Sequence, residues 1–151
     1  MSINNLQTGG RRLIEAVVDS GAADSVTPPG TFSGKVTPSE MSRAGRRYTG
    51  PNGSRIPNFG QVDAKFSVDE GISCGLRMQV ADVKRPLIAA SQLSAGGNKL
   101  ILEADGGVLL NVKTGRSIKI HRKGGVYILR LWIDEPAGDA TASGFPRPGT
   151  K

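Results

Sequence analysis

The chain has one cysteine, one histidine and few aromatic residues, and each scarcity narrows what it can be. A lone Cys74 closes no intrachain disulfide and supplies no Cys-rich zinc site, which excludes disulfide-built secreted scaffolds and zinc ribbons and fits a reducing, cytoplasmic setting. A lone His121 among basic neighbours is a poor foundation for Ser-His-Asp or Cys-His catalysis. Aromatic residues make up only 5%, so the core has to be built from Val, Ile, Leu and Ala. No apolar run approaches the ~20 residues that span a bilayer. The start Met1-Ser2-Ile3-Asn4-Asn5 lacks the charged and apolar regions of a signal peptide. No membrane partner, cofactor or metal is expected.

What is present points to strands. A length of 151 residues suits one domain with a real core. Gly 21 and Pro 9, set between short apolar runs, imply many turns joining many strands and an all-β class. The net charge of +7 favours acidic surfaces or nucleic acid by long-range attraction without choosing between them.

The stretch that organises the chain is Val17-Val18-Asp19-Ser20-Gly21-Ala22, an apolar strand running into a carboxylate, a hydroxyl and a glycine. An Asp ending a buried strand can be held in a tight loop whose backbone N–H groups point at it, which suits a catalytic acid. Gly21, with no Cβ, opens backbone conformations closed to other residues and lets a second loop approach. Asp-Ser-Gly is also ordinary turn chemistry, and Asp-[Ser/Thr]-Gly occurs by chance in about one chain of this length in twenty.

Along the chain, 1–10 reads as a flexible lead-in and Leu13 to Val18 as a strand. Thr31 to Arg47 reads as a surface loop with one capped helical turn near Pro38-Ser39-Glu40-Met41. Pro51-Asn52-Gly53 marks a hairpin, and Pro57 places its outgoing arm at an edge, where a missing N–H is tolerated. Val62 to Phe66 and Leu76 to Val80 alternate as half-buried strands around Asp69-Glu70-Gly71. Leu87-Ile88 enters a short helix ending at Gly96-Gly97. Hairpins fill 99–133, and 134–151 is expected to be a disordered Pro/Gly-rich tail. Within the last hairpins Ile118 and Ile120 face inward, Lys119 and an exposed His121 outward; Trp132 is expected in the core or at a dimer edge.

The order of Val18-Asp19-Ser20-Gly21-Ala22-Ala23-Asp24-Ser25-Val26, then Asn52-Gly53-Ser54-Arg55-Ile56-Pro57 with Gly60, then Arg85-Pro86-Leu87-Ile88-Ala89-Ala90-Ser91-Gln92-Leu93 resembles the retropepsin family of aspartic proteases. It is most similar to the protease segments of retrotransposon polyproteins, and Gly115-Arg116 to Leu129 resembles the hairpin that follows the protease core in copia-like polyproteins. The resemblance covers 12–133. It implies a partly open or closed β-barrel with a flap hairpin, one short helix and an active site at a homodimer interface. It also implies a peptide or polyprotein substrate and a cytoplasmic or retroelement-particle setting, with 99–133 as part of the core or an appended segment.

In that family two carboxylates share the chemistry. One cannot be both the base that activates water and the acid that protonates the leaving nitrogen. No second Asp here is followed by Ser-Gly or Thr-Gly, so two copies of Asp19 have to meet across a twofold axis and share one proton. The resemblance makes Ser20 a bond across the dimer and Gly21 the point of close approach. It makes Gly50, Pro51, Asn52, Gly53, Ser54 and Ile56 the flap, pairing with an extended peptide. Ala22, Ala23, Val26, Leu87 and Ile88 line substrate pockets, with Asp24 available to hold substrate backbone. Three features depart from the family: Ala89 follows the apolar pair where Gly is usual, Ala23 stands where viral members often carry an acid, and the flap carries Pro51 and Pro57. They leave a catalytically weak or inactive module for dimerisation or peptide binding as the alternative. A second alternative, a basic nucleic-acid-binding β-domain, rests on Arg43, Arg46, Arg47, Arg116, Lys119, Arg122 and Lys123. It is not favoured, because no aromatic stacking platforms are interleaved with these charges.

Overall fold

A computed structural model describes residues 10–45, 47–49, 53 and 55–134, for 47–49 and 55 as backbone alone. Apart from Gly10 and Asp134, the expected lead-in and tail lie outside the described residues. The strands are β1 Arg11–Asp19, β2 Val26–Thr27, β3 Arg47–Thr49, β4 Arg55–Ser67, β5 Ser73–Ala81, β6 Leu87–Ala89, β7 Asn98–Glu103, β8 Gly106–Asn111, β9 Ser117–Lys123 and β10 Val126–Asp134. Two short helices accompany them, α1 Glu40–Arg43 and α2 Ala90–Ala95. The class is all-β, and among the described residues no helix is long and apolar enough to cross a membrane.

The sheet runs β3-β4-β5-β2-β6-β1-β10-β9-β8-β7, and β4 also meets β10 at Trp132↔Ser67. Six strands, β4, β5, β2, β6, β1 and β10, therefore close into a ring. Period-two alternation fills it: Val62 and Ala64 of β4 point inward while Asp63 and Lys65 point out, and Leu131 and Ile133 of β10 are buried between more exposed neighbours. Met78 and Ile88 are fully buried in the same cluster, as expected of a core short of aromatics. Each such side chain contributes about 1.5–3 kcal/mol by leaving water. The 99–133 hairpins continue the sheet through β10 and β9, which pair at Val126↔Lys123 and Ile128↔His121.

The segment read as a surface loop, Thr31 to Arg47, is partly internal. Phe32 is buried and its ring centroid lies 6.3 Å from that of Phe66. Thr37 exchanges two backbone hydrogen bonds with Gln61 of β4, at 2.9 and 2.8 Å. A segment poor in apolar residues is thus pinned by one ring and one bridge. The expected helical turn is α1, whose Ser39 side chain accepts from Ser42 N while Ser42 Oγ accepts from Ser39 N.

Trp132 is half-buried, outside the fully buried core, at the seam that closes the ring. Its indole N–H donates to Asp69 Oδ1 at 2.6 Å, Arg130 Nε donates to Asp69 Oδ2 at 3.0 Å, and the Arg11 and Arg130 guanidinium groups lie 5.1 and 5.7 Å from its ring. His121, expected to be exposed, is half-buried, with Nε2 3.7 Å from Asp69 Oδ2. The Trp132 hydrogen bond holds the Asp69 carboxyl below the usual carboxylate range against its partial burial, helped by the Arg130 and His121 charges. A depressed folded-state pKa gives stability that is present above the unfolded value near ~4 and lost as pH falls through the folded one. Asp69→Asn is therefore expected to lower the Tm at pH 7 and to converge with wild type as pH drops below about 4. Melting curves of both chains from pH 7 to pH 2 check this; a gap that stays constant would contradict it.

Candidate active site at the end of β1

β1 and β2 flank β6 in the sheet, β1 in parallel (Val17↔Leu87, Val18↔Ile88, Asp19↔Ala89) and β2 antiparallel (Val26↔Leu87). The loop from Ser20 to Ser25, which joins β1 to β2, consequently straddles the end of β6 where the chain turns into α2. Asp19 sits at the start of that loop, half-buried, with Oδ1 accepting the Gly21 N–H at 2.8 Å. Its second oxygen has no hydrogen-bond partner among the described residues. The carboxylate is thus fixed by one oxygen and open at the other.

Gly21 is not in the left-handed region, and a Cβ there would meet only Asp19 Oδ1, at an ordinary 3.4 Å. The first of its two expected roles, a conformation closed to other residues, does not apply. The open space beside it leaves the second, close approach by another surface.

Ser25 was only part of a motif in the sequence, and the structure gives it a task. Its side chain is 2% exposed, and Oγ accepts the Ala89 N–H at 2.9 Å across 64 residues of chain. Its carbonyl accepts from Gln79 N at 2.9 Å, and Gln79 Oε1 accepts from Asn58 Nδ2 at 2.9 Å. A line of hydrogen bonds therefore runs from the base of the β3–β4 hairpin through β5 to the Asp19 loop and the β6–α2 junction. The available signal was a hydroxyl directly before buried Val26, where a polar side chain needs a partner. Ser25→Ala leaves the buried Ala89 N–H without its acceptor and is expected to cost about 1–3 kcal/mol. Urea denaturation measures it, and a loss under about 0.5 kcal/mol would contradict the assignment.

The other expected site residues divide by exposure. Ser20, Gly21 and Ala23 are exposed, and Ala22, Asp24 and Leu87 are half-buried around the loop. Ala23 and Asp24 border a cavity of about 390 Å³ shared with Arg77, Gln79 and Gln92. Val26 and Ile88 have almost no exposed surface and belong to the core of this chain. Of the hairpin tip, Gly50, Pro51, Asn52 and Ser54 lie outside the described residues, Gly53 is exposed with φ 83°, and Ile56 pairs with Tyr48. Pro57 pairs with Arg47 on one side, while pairing with β5 begins only at Asn58, so it does occupy an edge.

Several of the remaining chemistry-bearing residues are otherwise engaged. Cys74 of β5 is half-buried, and burial, helped by the Glu70 charge, pushes its thiol up and keeps it protonated at neutral pH. Lys123 Nζ contacts both Glu15 carboxylate oxygens at 3.1 Å, and Arg122 lies 5.1 Å from the Tyr127 ring and donates to Ala104 O at 3.1 Å. Half of the basic hairpin is therefore spent within the chain. No family model, curated protein or solved structure matches the chain.

Proposed function

We propose that this chain is an aspartic endopeptidase of the retropepsin type, which hydrolyses extended segments of a retroelement polyprotein as a homodimer. The observation that supports this most is the Asp19 carboxylate, held by Gly21 N–H on one oxygen, open on the other, and carried on a loop that straddles a strand entering a helix. The order of motifs in the sequence supplies the family. In the reaction one Asp19 carboxylate takes a proton from water as its oxygen attacks the peptide carbonyl carbon. The partner's Asp19, protonated, hydrogen-bonds the carbonyl oxygen as it gains charge. The first Asp19 then passes its proton to the amide nitrogen, the C–N bond breaks, and a carboxylic acid and an amine leave. The β3–β4 hairpin covers the substrate, and Ala22, Ala23, Asp24 and Leu87 contact it beside the loop.

The test is incubation of an unfolded polypeptide at mildly acidic pH with the wild-type chain and, in parallel, with Asp19→Asn. Fragments from the first and none from the second are expected. Fragments from both would overturn the proposal, and fragments from neither would replace it with a non-catalytic dimerisation or peptide-binding module.

A further inference from the structure

Beside Ile88 of β6, and sharing no lining residue with the Asp19 loop, a second cavity of about 350 Å³ lies between the β4–β5 hairpin, α2 and the β8–β9 hairpin. Val68, Leu93, Leu109 and Leu129 form its buried floor, and Cys74 and Arg116 stand at its border. The size falls in the range of small-molecule sites, which are mostly apolar with a few placed polar groups.

The polar groups around the floor are nearly all satisfied. Asn98 Nδ2 donates to Leu93 O, Asn111 Nδ2 donates to Asn98 Oδ1, and Asn111 Oδ1 accepts from Lys113 N and Thr114 N. Glu70, whose charge acts on Cys74, accepts the Lys119 N–H at 2.8 Å. Among the charged groups Arg116 is the exception. Its backbone bonds to Thr114 and Asn111, but its guanidinium makes no hydrogen bond or ion pair among the described residues. A hollow with an apolar floor and one border cation, uncommitted among the described residues, is complementary to an apolar body with one anionic end.

We propose that this cavity binds a small amphipathic monocarboxylate, its hydrocarbon body on the Leu109 and Leu129 floor and its carboxylate on the Arg116 guanidinium. An apolar cavity of about 150 Å³ holds one benzene ring, so this one accommodates about fourteen non-hydrogen atoms, the size of a ten- to twelve-carbon acid. The site is separate from Asp19 and does not depend on the peptidase reading.

The experiment uses the full chain with decanoate, decanol and decylamine as probes, followed by calorimetry and by the rate at which N-ethylmaleimide alkylates Cys74. Decanoate is expected to slow alkylation at least fivefold and to bind about tenfold or more tightly than decanol or decylamine, the margin of one charge-assisted hydrogen bond. Arg116→Gln is expected to reduce decanoate to the affinity of decanol and to leave decanol unchanged. Ile118→Trp, which fills the hollow from β9, is expected to abolish binding of both with the far-ultraviolet spectrum intact. Absence of protection at millimolar decanoate, equal affinity for decanoate and decanol, or decanoate binding unchanged in Arg116→Gln would each overturn the proposal. Because Arg116 is exposed, the Gln variant folds whether or not the Trp variant does, and the decanoate comparison decides alone.

Discussion

Asp19→Asn is expected to lower peptide cleavage by about a thousandfold or more, the scale set by loss of a positioned general acid and base, while changing stability by less than about 1 kcal/mol. The two effects separate for a structural reason. An Asn side chain still offers a carbonyl oxygen to the Gly21 N–H, the only hydrogen bond the Asp19 side chain makes among the described residues, and the residue is half-exposed. The loop therefore keeps its shape. What the amide cannot do is take a proton from water or give one back at the pH of the reaction. A variant that retains more than about a tenth of wild-type activity would show that Asp19 does not touch the reacting atoms.

The second large effect is on the fold. Gly60→Ala is expected to cost about 3 kcal/mol or more, combining backbone strain with overpacking, and to lower the Tm by about 10 °C for a chain of this size. Gly60 has φ 134°, and it ends the bulge between Asn58 and Gly60 where the β4–β5 register shifts. A Cβ there would come within 2.4 Å of Thr37 O and 3.0 Å of Val36 Cγ1. Thr37 cannot retreat without breaking its two hydrogen bonds to Gln61, and the Gly60 N–H is itself held by Asn58 Oδ1 at 2.7 Å. Gly71→Ala is the control: φ 81° and open space, so strain without collision, at about 1 kcal/mol. Equal losses at the two positions would show that the Thr37 contact yields. Because Asn58 also donates to Gln79, whose N–H reaches Ser25 O, the same bulge sets the line of hydrogen bonds from hairpin to Asp19 loop.

The parts of this fold that were legible in the sequence are those written locally. Alternation in Val62 to Phe66 and Leu76 to Val80 marks strands with one face inward, and Asp69-Glu70-Gly71 supplies the turn between them, with Gly71 at φ 81°. Leu87-Ile88 entering a helix closed by Gly96 is an equally local pattern. The rest depends on residues far apart. Nothing near Ser67 announces Trp132, and nothing near Ser25 announces Ala89, so the ring closure and the support of the Asp19 loop leave no periodic trace. The parallel pairings β1 with β6 and β2 with β5 are likewise set by topology. The sequence around Phe32 reads as loop because its neighbours are Gly, Pro and Ser, and a single ring carries no period. In the site, the carboxylate and its glycine were readable as a motif. That Val26 and Ile88 point into the core follows only from where their strands pair.

The central claim is that Asp19 works only beside another Asp19. The most direct measurement refolds wild type together with Asp19→Asn at fixed total concentration and follows cleavage as the wild-type fraction falls. If both copies are needed, activity follows the square of that fraction, reaching about 1% when one chain in ten is wild type, as random pairing in a twofold dimer requires. A linear decline, to about 10% at the same mixture, would mean that a single Asp19 suffices and would contradict the account.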